Sequence, residues 1–205
     1  NTKAKLYTSG KFIVVIGGDG AGKTTLIDSI TNWLKPRFNI LYIHLGKPPS
    51  SYLTIVFRWI AKVNKFKNIV LQKMGWIKND LDYFWMMYQV LVARDRFFLY
   101  QKALKITTNG GIVISDRFPL DFVKMMDGPK CSKAKYLMNK PFGKWLIEKE
   151  KKYYKYFIVP DVLIALRVHP DIAVARKTDE EPNYVRRRST EFYIIDWNRP
   201  GINLL

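Results

Sequence analysis

The sequence predicts an α/β domain: a three-layer sandwich with a parallel five-stranded sheet and helices on both faces. Two observations predict it. Short apolar runs alternate with longer segments of helical periodicity, the order in which parallel strands and their crossover helices follow one another. The first apolar run, FIVVI at residues 12–16, also ends in a glycine-rich loop that opens directly into an amphipathic segment. At 205 residues and 24.1 kDa, one domain over residues 1–205 is expected, large enough to bury a proper core.

The elements follow in order. A first strand is expected over residues 12–16 and a helix over 23–34, stopped by Pro36. Residues 40–44, ILYIH, read as a second strand, and 46–49, GKPP, as a loop. Two helical patterns come next. Tyr52, Ile55, Val56, Trp59, Ile60 and Val63 form one apolar stripe, expected to be buried. Leu81, Trp85, Tyr88, Val92, Asp95, Leu99 and Lys102 follow the same spacing on a longer helix. Asp95 interrupts that stripe, and a carboxylate there is costly unless it is paired or faces a solvated cleft. Residues 112–115 form a third strand after Asn109-Gly110-Gly111, 162–166 a fourth, and 202–204 a short last one.

The charge is the outlier of the composition. Lysines and arginines number 35 against 17 acids, a net charge of +18, which predicts an anionic partner without choosing one. Residues 29–79 hold nine lysines and arginines and no acid, and residues 124–155 are basic and rich in aromatics. No apolar run approaches the roughly 20 residues that span a bilayer. No secretory leader is legible, and the lone cysteine, Cys131, suits a reducing compartment, so a cytoplasmic protein is expected.

Residues 17–24, GGDGAGKT, fit the phosphate-binding pattern G-x-x-x-x-G-K-[ST]. Each residue type has a physical reason. Glycines let the backbone curl so that successive N–H groups point inward at phosphate oxygens, and the helix that follows adds its N-terminal dipole. Gly17, Gly18, Asp19, Gly20, Ala21, Gly22, Lys23, Thr24 and Thr25 are therefore the nucleotide-binding candidates. Lys23 carries charge to the β- and γ-phosphates, and the Thr24 hydroxyl suits Mg²⁺. The third strand runs into Ser115-Asp116-Arg117-Phe118. A carboxylate at the carboxyl end of a strand faces the crevice where open parallel sheets bind ligands. There Asp116 suits Mg²⁺ through water, and Arg117 can grip a phosphate with its planar fork; a plain surface pair in a turn is the alternative.

With these residues in place, the chain resembles the thymidylate kinase family of nucleoside monophosphate kinases. GGDGAGKTT answers to its loop GxDGxGK[ST]T, Ala93-Arg94-Asp95-Arg96 to its helix motif A-x-[DN]-R, and Asp116-Arg117-Phe118 to its D-R-[YF], in the same order and rough spacing. The resemblance implies a P-loop NTPase fold with a helical lid at about residues 170–190. It also implies ATP and Mg²⁺ as cofactors, a phosphorylated acceptor, and pairing of two copies through long helices. Asp19 is similar to the family's acceptor-orienting loop acid, Arg96 to its acceptor-phosphate arginine and Arg117 to that arginine's partner. Phe118 then lies at the acceptor. Arg176, Arg186 and Arg188 are the lid candidates, needed because Ala21 stands where some members keep an arginine. Lys23, Asp19, Arg117 and Arg176 form the implied catalytic set, Arg176 and Arg186 joining the ATP contacts.

Two departures redirect the acceptor. Where the family has R-E-P-G-G after the second strand, this chain has His44-Leu45-Gly46-Lys47-Pro48-Pro49, leaving Lys47 as a point charge in place of a bidentate grip. Beyond Phe118, Pro119-Leu120-Asp121-Phe122 replaces the positions that meet the acceptor nucleotide. The leading expectation is thus ATP-dependent phosphoryl transfer to a phosphorylated small molecule, in the first place a nucleoside monophosphate. The alternative is an ATPase or kinase of a surface-polysaccharide or lipid pathway, acting on a non-nucleotide acceptor at an anionic membrane surface. Nucleic acid has only charge in its favour. His44, His169 and Cys131 lack ligand clusters and are expected to be structural.

Overall fold

The computed structural model describes residues 9–75, 82–120, 127–158 and 160–197, together with residues 3, 4, 6 and 123. In chain order the elements are β1 (Lys11–Gly17), α1 (Lys23–Leu34), β2 (Ile40–His44), α2 (Tyr52–Lys73), α3 (Tyr83–Thr108), β3 (Ile112–Asp116), two short 3₁₀ turns (Cys131–Lys133 and Lys135–Leu137), α4 (Pro141–Lys155), β4 (Val162–Leu166), α5 (Pro170–Arg176) and α6 (Pro182–Ile194). They fall into two compact units. Residues 1–47, 100–128 and 158–205 make the first, and residues 48–99 and 129–157 the second.

The first unit is an α/β unit around a parallel sheet in the order β2-β3-β1-β4. β1 is central, and Val14, Val15 and Ile16 are fully buried in it. α1 sets Ile27, Leu26, Ile30 and Leu34 against Val15, Ile112 and Ile114, a stripe at helical spacing meeting β-branched strand residues. The register places Val15 and His44 opposite Asp116, so β2 and β3 end level and β1 runs two residues further, to Gly17. Among the described residues the sheet has four strands, not the expected five; residues 202–204, where the fifth was expected, lie outside them.

The second unit is helical, and buried acids fasten it. Asp95 resolves the anomaly noted in the sequence. Its Oδ2 accepts from the Ser51 amide at 2.9 Å and the Thr54 hydroxyl at 2.5 Å, while Arg94 bonds Oδ1 at 3.1 Å. It thereby reinforces the N-terminus of α2, where the Ser51 side chain is the cap. Glu150, buried on α4, accepts from the amides of Lys130 and Cys131 at 2.9 and 2.8 Å. The core gathers Met86, Cys131, Ala134, Leu137, Leu146 and Ile147. Gly143 allows a close approach: a Cβ there would lie 2.0 Å from the Leu137 carbonyl oxygen.

Two helical expectations are corrected. α2 is much longer than its stripe suggested, and it faces the other way: Thr54, Ala61 and Asn68 are its buried residues, while Tyr52, Ile55, Trp59 and Val63 are exposed. On α3 the buried ridge is Met86, Ala93, Tyr100 and Thr107, one residue along from Trp85, Val92 and Leu99. That helix is apolar on nearly every side, so spacing alone does not choose a face. Leu81 lies outside the described residues. Among the described residues, no helix is long and apolar enough to cross a membrane.

Candidate functional site

The site is built at the carboxyl end of the sheet in the first unit. β1 delivers Gly17 into a loop that reaches α1 at Lys23. Gly20 and Gly22 carry φ of 74° and 84°, left-handed values that a side chain disfavours. Gly20 is needed twice over, because a Cβ would meet the Ala173 carbonyl oxygen of α5 at 2.8 Å. No acidic residue occupies the first turn of α1, so nothing on the helix offsets the positive end of its dipole. Lys23 lies across the loop, its ammonium donating to the carbonyls of Gly17 (3.1 Å) and Gly18 (2.8 Å). Burial, with Arg117 adding to it, holds Lys23 below the ordinary lysine pKa; Asp116 and Asp19 pull the other way.

Asp19 is held by two arginines. Arg188 of α6 places Nη1 2.7 Å from its Oδ2, and Arg117 places Nη2 3.4 Å from its Oδ1. Both guanidiniums are largely buried, and Arg188 stacks over the Tyr184 ring at 5.4 Å. Arg117 also approaches Asp127 at 3.6 Å. Its backbone sits at φ 69°, a strained conformation for a residue with a side chain. That turn is tied down on two sides: the Arg117 amide donates to the Val15 carbonyl (3.1 Å), and the Ser115 hydroxyl donates to the Arg117 carbonyl (3.0 Å). Gly46 is where the loop after β2 presses on this turn; a Cβ would stand 2.6 Å from Arg117 Cδ.

Asp116 completes the edge. Its Oδ2 lies 3.8 Å from His44 Nε2, and its Oδ1 is buried without a hydrogen-bond partner among the described residues. The Arg117 Nε is likewise buried and unpartnered there. One orphaned acceptor and one orphaned donor side by side suit a cation or its water beside a phosphate oxygen. Burial lowers the His44 pKa, with Asp116 opposing. No group of three or more His, Cys, Asp or Glu side chains among the described residues forms a metal cage. Thr24 is exposed at the start of α1, so its hydroxyl and the unpartnered Asp116 Oδ1 would suit an ion such as Mg²⁺ that takes most of its ligands from water and phosphate.

The remaining candidates separate. Arg176 donates to the Gly20 carbonyl at 3.4 Å, and so reaches the loop. Arg186 pairs with Asp171 on the exposed side of α5. Lys47 is exposed, its amide closing a turn onto His44. Phe118, expected at the acceptor, is instead a core residue: it is buried edge-on against Phe12 and Tyr100, because the chain turns inward after Arg117. Arg96 belongs to the second unit, buried, with its guanidinium hydrogen-bonded to the Tyr154 hydroxyl and over that ring. Asp127 and His44 were not among the expected site residues. His44 was legible by the rule that exposes Asp116, both ending parallel strands at one level. Asp127 sits in a stretch with no periodicity and gave no signal.

No family model matches the chain. Two relatives do. The chain is 26% identical over 183 residues to an uncharacterized ATP-binding protein, YghS, of Escherichia coli (strain K12), covering 83% of this chain and 75% of that one. It is 29% identical over 187 residues to a thymidylate kinase of Buchnera aphidicola subsp. Acyrthosiphon pisum (strain APS), covering 89% and 76%. These relatives support a P-loop kinase-like family. A P-loop kinase-like reading accounts for the loop, its lysine and the sheet order together, and the likeness supports ATP binding and nucleotide-dependent phosphotransfer as a class.

Proposed function

We propose that the chain transfers the terminal phosphoryl group of ATP to a phosphorylated small-molecule acceptor, a nucleoside monophosphate being the leading class. The observation that carries this reading is the pair of arginines gathered on Asp19 at the mouth of the loop. A hydrolytic switch has one anion to hold. Transfer between two anions needs positive charge on the donor, the acceptor and the migrating group at once. Lys23 serves the β- and γ-phosphates. Arg117 and Arg188 are placed to leave Asp19 for phosphate oxygens, and Arg176 closes from α5. The bond from the γ-phosphorus to the ADP oxygen breaks as a bond to an acceptor phosphate oxygen forms, and ADP departs. Thr24 and Asp116 would hold Mg²⁺, which would supply further neutralisation of the phosphates when bound. Asp19, once released, is free to orient the acceptor; Lys47 is the further acceptor candidate on the same unit. Excluding water is the task of α5 and α6, since an open site hydrolyses ATP. The use of ATP and the single buried cysteine suit a cytoplasmic enzyme.

The test is ADP release with ATP, Mg²⁺ and a panel of thymidylate, other nucleoside monophosphates and sugar phosphates. At least one acceptor should accelerate turnover well above the rate without acceptor; equal rates throughout would refute transfer. Lys23→Ala should lower turnover by about 10²–10³-fold with an unchanged circular dichroism spectrum.

A further inference from the structure

We propose that the outer face of α2 docks on an anionic lipid surface. This rests on α2 itself and not on the reaction above. The helix buries two polar residues, Thr54 and Asn68, with Ala61 between them. Six of its apolar side chains are open to solvent instead: Tyr52 is 79% exposed, Trp59 62%, Val63 67% and Phe66 72%, with Ile55 and Val70 also open, while Val56, Phe57 and Ile60 are half-buried. Steps of three and four residues put these six on one continuous stripe. A soluble helix ordinarily turns such a stripe inward, because exposed apolar area of this kind is unfavourable in water.

The surroundings select the occupant. At about 100° per residue, Lys62 and Lys73 border the stripe on one side and Lys67 on the other, with Arg58 and Lys65 further round. No acid occurs anywhere in residues 29–79. The unit to which α2 belongs holds 17 lysines and arginines and five acids, a net +12 of the chain's +18. A second copy seated on this face would set cations against the same cations. A nucleic acid would use the lysines but leave Ile55, Val63 and Val70 in water. A bilayer surface with acidic headgroups takes both: the aromatic and branched side chains enter the headgroup boundary, and the lysines reach outward to phosphate. Lys62 already lies over the Trp59 ring, 5.3 Å from its centre, the posture of an amphipathic side chain at such a boundary.

The test is co-sedimentation of the 205-residue chain with vesicles of phosphatidylcholine alone and with about a quarter phosphatidylserine. Binding is expected on the acidic vesicles only, with a blue shift of tryptophan fluorescence and loss of binding in high salt. Trp59→Ser with Phe66→Ser, and separately Lys62→Glu with Lys67→Glu, should each weaken it at least about tenfold, with ATP affinity unchanged. These sites are exposed, so the variants keep their fold, which circular dichroism checks. No binding to acidic vesicles overturns the proposal, as does binding that survives both double variants. A dimer by light scattering that Trp59→Ser with Phe66→Ser turns into a monomer, without vesicle binding, assigns the face to a second copy and overturns it too. Salt-sensitive binding to an oligonucleotide that needs the lysines and ignores the apolar pair, in place of vesicle binding, does the same.

Discussion

The two units use charge in opposite ways. In the α/β unit, Lys23, Asp19, Arg117, Arg188 and Asp116 are gathered around one loop, and the apolar side chains of its central strand lie inside. In the helical unit the buried acids bind backbone instead: Asp95 and Glu150 accept from amides that start helices and turns. Most of the net positive charge stays on that unit's outside, next to exposed aromatics. The first unit gathers its charges around one loop, and the second spreads them over an outer surface. A single figure of +18 hides this division.

Substitutions can break the contrast. The largest effect is expected from Phe118→Ala, which removes a buried ring packed on Phe12 and Tyr100. It should cost about 3–5 kcal/mol in chemical denaturation. Unchanged stability with a raised acceptor KM would instead return Phe118 to the site. In the helical unit, Glu150→Ala leaves the buried Cys131 amide and the part-buried Lys130 amide without an acceptor and should cost about 3 kcal/mol, Glu150→Gln about half of that. Neither should alter ATP affinity, which calorimetry checks; a change would mean that the acid serves more than the fold. The smallest effect is on pH. The pKa of Lys23 is depressed by burial, so its charged form is the disfavoured one in the folded chain. Between its folded value and the ordinary 10.5, folding stability rises with pH while phosphate binding falls. ATP affinity should therefore decline along an alkaline limb with its midpoint below 10.5, and Lys23→Arg should remove that limb.

Much of the α/β unit was legible because its signals are local. The run 12–16 could only be an interior strand, Pro36 had to stop α1, and the loop glycines are demanded by positive φ and close contacts. The site edge followed from the rule for parallel sheets, which exposed Asp116 and would have exposed His44. What escaped depends on neighbours. Spacing shows that α2 has an apolar stripe but not whether protein or solvent meets it. Phe118 reads as a motif residue, yet the turn forced by the left-handed backbone of Arg117 sends it into the core. Arg188 was one of three lid candidates, and only the docking of α6 shows that it, and neither Arg176 nor Arg186, pairs with Asp19.

Asp19 has one more consequence. As part of the chain it competes for Arg117 and Arg188 at an effective concentration that a dissolved ion does not match. Chloride or a lone inorganic phosphate therefore displaces it poorly. On the reaction proposed above, a ligand that grips the loop at one end and the guanidiniums at the other would displace the carboxylate more readily than a short anion.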